Sequence, residues 1–258
     1  MHLILTGATG LVGTAVLDAM IRTKDVTKIS VLSRRPVKFS DKRINVILHS
    51  DFVSYNQDLL NKLEGAQACV WALGISQSQV SKEEYIKITK TFPLVAAKAF
   101  QSLPYNSDPQ QPFHFVYVSG DGATFNPGRL TPFFGRIKGE AELALAEMQK
   151  ANSATFRATT VRPGFVDWTR HQELKRFLPE LGWIKSIVGS TLSPIMNHAF
   201  RSFTTPTEPL GKFLTGMAMG TWDGDLDGDG VERLPGGFTV VGNTAMRRVM
   251  GLDISKGE

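Results

Sequence analysis

Short apolar runs alternate along the chain with segments that have the periodicity of amphipathic helices. The first strand-like run is His2 to Thr6, and Leu11 to Thr23 then places apolar residues at i, i+3 and i+4 spacing, which predicts a helix with one buried face. Six further strand-like runs follow: Lys28 to Ser33, Ile44 to Leu48, Ala68 to Leu73, Phe113 to Ser119, Ala158 to Val161 and Phe238 to Val241. These runs are rich in apolar residues, as expected of strands buried on both faces.

Helical patterns fill the longer gaps between these runs. Ser81 and Glu84 have the spacing of a capping box and begin a predicted helix that Pro93 is expected to kink or break. Another helix, rich in Ala, Glu and Leu, is predicted from Phe133 to Asn152. Repeated strand–helix units of this kind predict an α/β protein with a doubly wound parallel sheet of the Rossmann type and helices on both faces.

A glycine-rich turn joins the first strand to the first helix. Glycines let the backbone turn tightly and approach a pyrophosphate, and the helix N-terminus offers free N–H groups and a positive dipole end. The spacing of Gly7, Gly10 and Gly13 differs from the G-x-G-x-x-G fingerprint, but the position between strand and helix favours a dinucleotide site. The expected cofactor-binding residues of the turn are Thr6, Gly7, Thr9, Gly10, Leu11, Val12 and Gly13.

The end of the second strand indicates which dinucleotide the chain binds. Sites for NAD usually place Asp or Glu there, but this chain has Arg34 and Arg35 after Ser33. Two guanidinium groups suit a 2′-phosphate, so we expect the cofactor to be NADP(H). Asp51, which follows the third strand, is a candidate contact to the adenine.

Composition narrows the class of protein. The 258 residues are 42% hydrophobic and 21% charged with a net charge of +5, and no basic run interleaves with aromatics, so nucleic acid is not an expected partner. The single cysteine, Cys69, fits a reducing compartment, and neither a signal peptide nor a long apolar span is apparent. We expect a cytoplasmic monomer or homodimer with a small-molecule substrate; peripheral association with an organelle membrane is left open.

One motif resembles part of a metal-binding loop but lacks a residue that the loop requires. Asp223, Asp225 and Asp227 match the first half of a calcium-binding EF-hand loop, but Leu234 stands where the loop requires Glu. We interpret the segment as an acidic surface turn and expect no metal site.

The chain resembles the short-chain dehydrogenase/reductase superfamily, in its extended or atypical branch, over roughly residues 1–170. Beyond the glycine turn, the resemblance rests on Ala72-Leu73-Gly74, Ser119, Lys138 and Arg162-Pro163-Gly164, in that order. The runs VSGDGA, FGRIKGEAE and VRPG look most like the TIP30-like group of small NADPH-binding proteins. The resemblance implies that these residues bind the cofactor, and that Ser119 and Lys138 are also catalytic.

The resemblance breaks at the family's catalytic tyrosine. The superfamily carries Tyr-x-x-x-Lys on one helix face, with the Tyr as general acid or base, whereas Phe134 stands four residues before Lys138 here. Asp121 is a candidate replacement acid. Three functions stay open: an NADP(H)-dependent oxidoreductase on a small apolar carbonyl or hydroxyl compound, an NADP(H)-binding regulator or sensor, and a redox-neutral isomerase or cyclase.

The expected domain organisation is one Rossmann domain over residues 1–258, with the dinucleotide-binding core at 1–170. From about 171 to 235 the pattern changes to irregular helices, which we expect to cover the substrate side. Candidate residues of this cover are Phe177, Leu181, Trp183 and Ile187. Asn243 and Gly251 are expected to cap a final short helix.

Overall fold

The computed structural model describes residues 1–103, 111–172, 174 and 203–253. Its strands are β1 (His2–Thr6), β2 (Lys28–Ser33), β3 (Ile44–Leu48), β4 (Ala68–Trp71), β5 (Phe113–Val118), β6 (Phe156–Arg162), β7 (Phe165–Asp167), β8 (Thr204–Pro206), β9 (Val231–Arg233) and β10 (Thr239–Gly242). The main sheet has the strand order β3-β2-β1-β4-β5-β6-β10-β9, in which every neighbouring pair is parallel except β10 and β9. A separate parallel pair is formed by β7 and β8.

Helices cover both faces of this sheet. The described helices are α1 (Leu11–Arg22), α2 (Gln57–Leu63), α3 (Lys82–Ile86), α4 (Phe92–Phe100), α5 (Phe133–Ala151), α6 (Thr207–Met219) and α7 (Asn243–Val249). One apolar cluster packs α2, α4 and α5 against one face of the sheet, and a second packs α1, α6 and α7 against the other. The predicted doubly wound parallel sheet is therefore confirmed.

Alternation along each central strand explains why both faces are covered. In β1, Leu3 and Leu5 face the cluster with α1, whereas Ile4 faces the cluster with α4 and α5. All three side chains are fully buried, so β1 is apolar throughout instead of alternating with polar residues. The strand order places the carboxyl end of β1, and the turn that follows it, between the carboxyl ends of β2 and β4.

Two local predictions can be compared directly with the structure. The α-helix capped by Ser81 is interrupted where Pro93 predicts a kink or break: a π-helical segment, Lys87–Thr91, comes directly before α4, and Pro93 lies in the first turn of α4. Asn243 is the first residue of α7 and not its cap, because Gly242 holds the extended cap conformation. Of the expected substrate cover, Phe177, Leu181, Trp183 and Ile187 lie outside the described residues.

Candidate functional site

The glycine turn begins where β1 ends, and two of its glycines are required by close backbone packing. Gly7 has a φ of +71°, and a methyl group added to it would lie 2.3 Å from the carbonyl oxygen of Ala72. A methyl group added to Gly13 would lie 2.1 Å from the carbonyl oxygen of Gly7. These two positions therefore exclude any side chain for reasons internal to the fold.

Gly10 differs from the other two glycines. It is exposed, its φ of −93° suits any residue, and an added methyl group would meet only the Gly7 carbonyl oxygen, at 3.4 Å. As the cap residue of α1 it supplies no side-chain hydrogen bond to the helix N-terminus. The space in front of Gly10 and the N–H groups of the first turn therefore suit the approach of an anionic group.

The loop after β4 lies directly beside the turn. Thr6 is fully buried, and its hydroxyl accepts a hydrogen bond from the backbone N–H of Leu73 at 3.3 Å. Strand β1 lies between β2 and β4 in the sheet. The chain passes from β1 to β2 and β3 on one side, and then crosses over to form β4 on the other side of β1. Ala72, Leu73 and Gly74 thus lie at the switch point of the sheet, where open α/β sheets bind their ligands.

A cavity of about 300 Å³ lies on one side of the turn. Arg34 and Arg35 are exposed at its edge, and within the described part of the chain neither guanidinium has a hydrogen-bond or ion-pair partner. Asp51 does not line this cavity but borders a separate polar one, whereas its neighbour Phe52 lines the cavity beside the turn. The cavity is lined by Gly7, Thr9, Leu32, Ser33, Arg34, Arg35, Phe52 and Leu73.

A second cavity, of about 450 Å³, lies on the other side of the turn. It brings together residues from the first helix, the end of β5, α5 and the segment after β6. Phe134 and Lys138 both line it, as their i, i+4 spacing on α5 predicts. Its lining residues are Val12, Val118, Ser119, Gly120, Asp121, Phe134, Lys138, Pro163, Gly164, Phe165 and Val166.

Lys138 and Ser119 are adjacent in this cavity. The Nζ of Lys138 donates a hydrogen bond to the backbone carbonyl oxygen of Ser119 at 2.5 Å. Burial lowers the pKa of Lys138 to about 8, against the opposing effect of Glu142 one turn along the helix. The Ser119 hydroxyl is buried and has no hydrogen-bond partner among the described residues.

Phe134 is held at the cavity by its backbone and by the loop after β5. Its N–H donates to the side-chain oxygen of Gln77 at 3.1 Å, and its ring tip would lie 3.3 Å from a methyl group added at Gly122. Phe134 thus lines the same cavity as Ser119 and Lys138, with a ring that has no hydroxyl.

The Arg162 side chain is held by an ion pair within the protein. Its guanidinium is bound to the fully buried carboxylate of Glu142, with Nη2–Oε2 and Nε–Oε1 distances of 2.5 and 3.1 Å, and lies over the ring of Phe125. Only Pro163 and Gly164 of the predicted triplet line the cavity. Sequence reasoning missed Glu142, whose only signal was an acidic residue on the apolar face of α5.

Other polar groups near β5 are occupied by the protein itself. The Tyr117 hydroxyl donates to the Thr89 carbonyl oxygen at 2.9 Å, and burial raises the pKa of Tyr117 well above its usual value. His114 is buried and hydrogen-bonded to Thr159 at 3.0 Å. Neither side chain lines the cavity.

The acidic turn near the C-terminus forms an ion pair with an arginine of the same chain. Asp223 forms a two-bond pair with Arg157 at 2.5 and 2.6 Å. Within residues 1–103, 111–172, 174 and 203–253, no group of three His, Cys, Asp or Glu side chains could hold a metal ion. In those same ranges, no helix has the length and apolar character that crossing a membrane requires.

Comparison with known proteins places the chain among fungal relatives. It is 42% identical over 159 residues to botcinic acid biosynthesis cluster B protein 16 of Botryotinia fuckeliana, a match that covers 62% of this chain and 98% of that protein. It is 31% identical over 239 residues to leucinostatins biosynthesis cluster protein T of Purpureocillium lilacinum, covering 85% of each chain. No family model matches the sequence.

Solved structures of low sequence identity share the fold. A short chain dehydrogenase family protein from Francisella tularensis superposes with a TM-score of 0.62 at 14% identity, covering 95% of this chain and 98% of that one. The dTDP-glucose 4,6-dehydratase DesIV from Streptomyces venezuelae, solved with NAD bound, gives a TM-score of 0.59 at 13% identity, covering 98% and 80%. The chain therefore has the fold of the short-chain dehydrogenases/reductases and belongs to the same family as the leucinostatins biosynthesis cluster protein T.

Proposed function

We propose that the protein binds NADP(H) and acts on a carbonyl or hydroxyl group of a small apolar molecule. The observation that carries this proposal is the position of the glycine turn between two cavities. Gly7 and Thr9 line the cavity beside Arg34 and Arg35, and Val12 lines the cavity of Phe134 and Lys138. A dinucleotide bound over the turn would reach both cavities.

Each part of the site has a role in this proposal. Arg34 and Arg35 bind the 2′-phosphate through charge-assisted hydrogen bonds, and the N–H groups that follow Gly10 bind the pyrophosphate. Lys138 holds the nicotinamide ribose, and Ser119 donates a hydrogen bond to an oxygen of the substrate. The bound cofactor would supply or accept a hydride.

The relatives support the proposal from two directions. The names of the two fungal relatives place them in the botcinic acid and leucinostatins biosynthesis clusters, which fits an enzyme that acts on a biosynthetic intermediate. The DesIV structure contains NAD, which fits a nicotinamide cofactor in this fold. The preference for NADP(H), the TIP30-like placement and a cytoplasmic location stay predictions.

A second candidate function rests on Phe134. A phenyl ring has no proton to transfer, so an isomerase, a cyclase or a cofactor-binding sensor could use the same cavity without any redox step. Proton transfer by a positioned group contributes about 10²–10⁴-fold to rate, so the unmodified protein should reduce ordinary ketones and aldehydes poorly.

Phe134→Tyr tests which of the two functions holds. The substitution adds one hydroxyl at a position that already faces Lys138 across one helical turn. We expect NADPH to bind with little change and the rate of NADPH oxidation with a carbonyl panel to rise by about 10²-fold or more.

Matched titrations of NADPH into both proteins would show that binding is unaffected. Rapid carbonyl reduction by the unmodified protein would show that hydride transfer does not need a hydroxyl at position 134 and would favour Asp121 or water as the proton source. An unchanged, negligible rate in the variant would favour the redox-neutral or sensor function.

A further inference from the structure

The cavity of Phe134 combines apolar walls with the ammonium of Lys138, the hydroxyl of Ser119 and, where it is exposed, the carboxylate of Asp121. Val118, Phe165 and Val166 line it together with Phe134, and among the described residues that line it Lys138 is the only basic one. The inference that follows rests on the proposed function, because it concerns the ligand of this same cavity. It goes further by naming the charge state of that ligand.

Lys138 is a cation without a counterion of its own. Its Nζ hydrogen-bonds to a neutral group, the Ser119 carbonyl oxygen, and an ammonium has three donors, so one is left for a further ligand after one is donated to the nicotinamide ribose. Within the described residues no carboxylate forms an ion pair with it. A partly buried charge in this position gains from an anionic partner.

The charged groups around Lys138 do not fill that role. Glu142, one turn along α5, is bound to Arg162 and also accepts a hydrogen bond from Thr160, so its charge is already matched by a closer cation. Asp121 lines the same cavity but is exposed, and its backbone N–H is bonded to the Pro163 carbonyl oxygen.

A second donor lies beside Lys138. The Ser119 side chain is 4% exposed, and its hydroxyl has no hydrogen-bond partner in the described part of the chain. A buried hydroxyl without a partner is costly, so its hydrogen-bonding capacity indicates a ligand atom. Ser119 and Lys138 both line the cavity, and Phe134, which lines it with them, has no hydroxyl to offer either group.

We infer that Lys138 and Ser119 together bind an ionised oxygen of the ligand, so that the ligand is a small apolar molecule with an acidic group, such as a phenol, an enol or a carboxylic acid. The oxygen of the ligand takes the place of the missing tyrosine hydroxyl. On binding, the ligand O–H bond breaks, the electron pair stays on the oxygen and the proton passes to solvent. The negative oxygen then accepts hydrogen bonds from the ammonium and the hydroxyl.

Binding of 4-nitrophenol tests the inference without any turnover, because its absorption distinguishes phenol from phenolate. We expect the apparent pKa of the probe to fall by about one unit or more on binding, the size of effect that an adjacent opposite charge produces. The methyl ether 4-nitroanisole, which cannot ionise, should bind more weakly, and 4-nitrobenzoate tests a carboxylate. Titrations are made with and without NADP⁺.

Variants assign the effect to the two donors. Lys138→Met should abolish the shift in probe pKa, whereas Lys138→Arg, which keeps the charge, should retain it. Ser119→Ala should weaken phenolate binding by about tenfold or more, as expected for a hydrogen bond to a charged group. Lys150→Met is the matched control, since Lys150 is exposed on the same helix and does not line the cavity.

The outcomes separate this inference from the proposed function. Equal binding of 4-nitroanisole and 4-nitrophenol, or an unchanged shift in Lys138→Met, overturns the inference. So does the absence of binding by any of the three probes to protein that binds NADPH, which leaves the proposed function standing. Failure to bind NADPH in the same samples counts against the proposed function itself.

Discussion

Gly10→Val should separate ligand binding from folding at the glycine turn. The backbone of Gly10, at φ −93° and ψ 172°, is extended and suits a branched residue, and its added Cβ would meet only one atom, at 3.4 Å. If the open space in front of Gly10 exists for a pyrophosphate, a valine there will exclude the ligand and leave the fold intact.

The magnitudes follow from the geometry. Removing a glycine from an extended position stabilises by about 0.4–1 kcal/mol through the unfolded state, and losing a favoured cap residue costs a similar amount. The free energy of unfolding of Gly10→Val should thus stay within about 1 kcal/mol of the wild type. Gly13→Ala is the control: its methyl group would lie 2.1 Å from the Gly7 carbonyl oxygen, so it should destabilise by about 1–3 kcal/mol or more.

Urea unfolding and NADPH titration on the three proteins give both quantities. We expect Gly10→Val to fold normally with NADPH affinity reduced by about tenfold or more, equivalent to about 1.4 kcal/mol, and Gly13→Ala to lose stability. A stable Gly10→Val protein with undiminished NADPH affinity would refute the assignment of this turn to the cofactor.

Two further predictions concern charge. Because burial lowers the pKa of Lys138 from 10.5 to about 8 on folding, the unfolded state binds more protons than the folded state between pH 8 and 10.5. The free energy of unfolding of the wild type should therefore rise relative to that of Lys138→Met across this range, by at most about 3 kcal/mol. A constant difference between the two proteins in urea unfolding would contradict the burial of this charge. Replacing Arg34 and Arg35 together with Ala should weaken NADPH binding by about 2–3 kcal/mol and leave NADH nearly unchanged in calorimetry, whereas an equal loss for both cofactors would indicate a general effect on the site.

The sequence predicts the sheet well where burial dominates. Strands β1 and β2 have the predicted bounds, because central parallel strands are apolar on both faces and end at turn residues. The edge strand β3 also has the predicted bounds, although only one of its five residues is buried. The edge strand β9 and the short helix α2 were not predicted. Two of the three residues of β9 are exposed, and the main sequence signals of α2 are the cap Asn56 and the pair Leu59 and Leu63.

The sequence predicts which residues line the candidate site better than it predicts which of them contact one another. Lys138 and Phe134 share a helix, so their spacing alone places them together. Glu142 on α5 pairs with Arg162 on β6, which lies 20 residues later in the chain. Because Glu142 is occupied by Arg162, it does not serve as the counterion of Lys138. Such relations depend on how α5 packs against β6, which no local pattern contains.

The most direct test of the account is a calorimetric comparison of NADPH and NADH with the unmodified protein. Arg34 and Arg35, exposed and without partners among the described residues, predict tighter binding of NADPH by about 2–3 kcal/mol, or about 30- to 150-fold in Kd. Equal affinities for the two cofactors, or no binding of either, would contradict it.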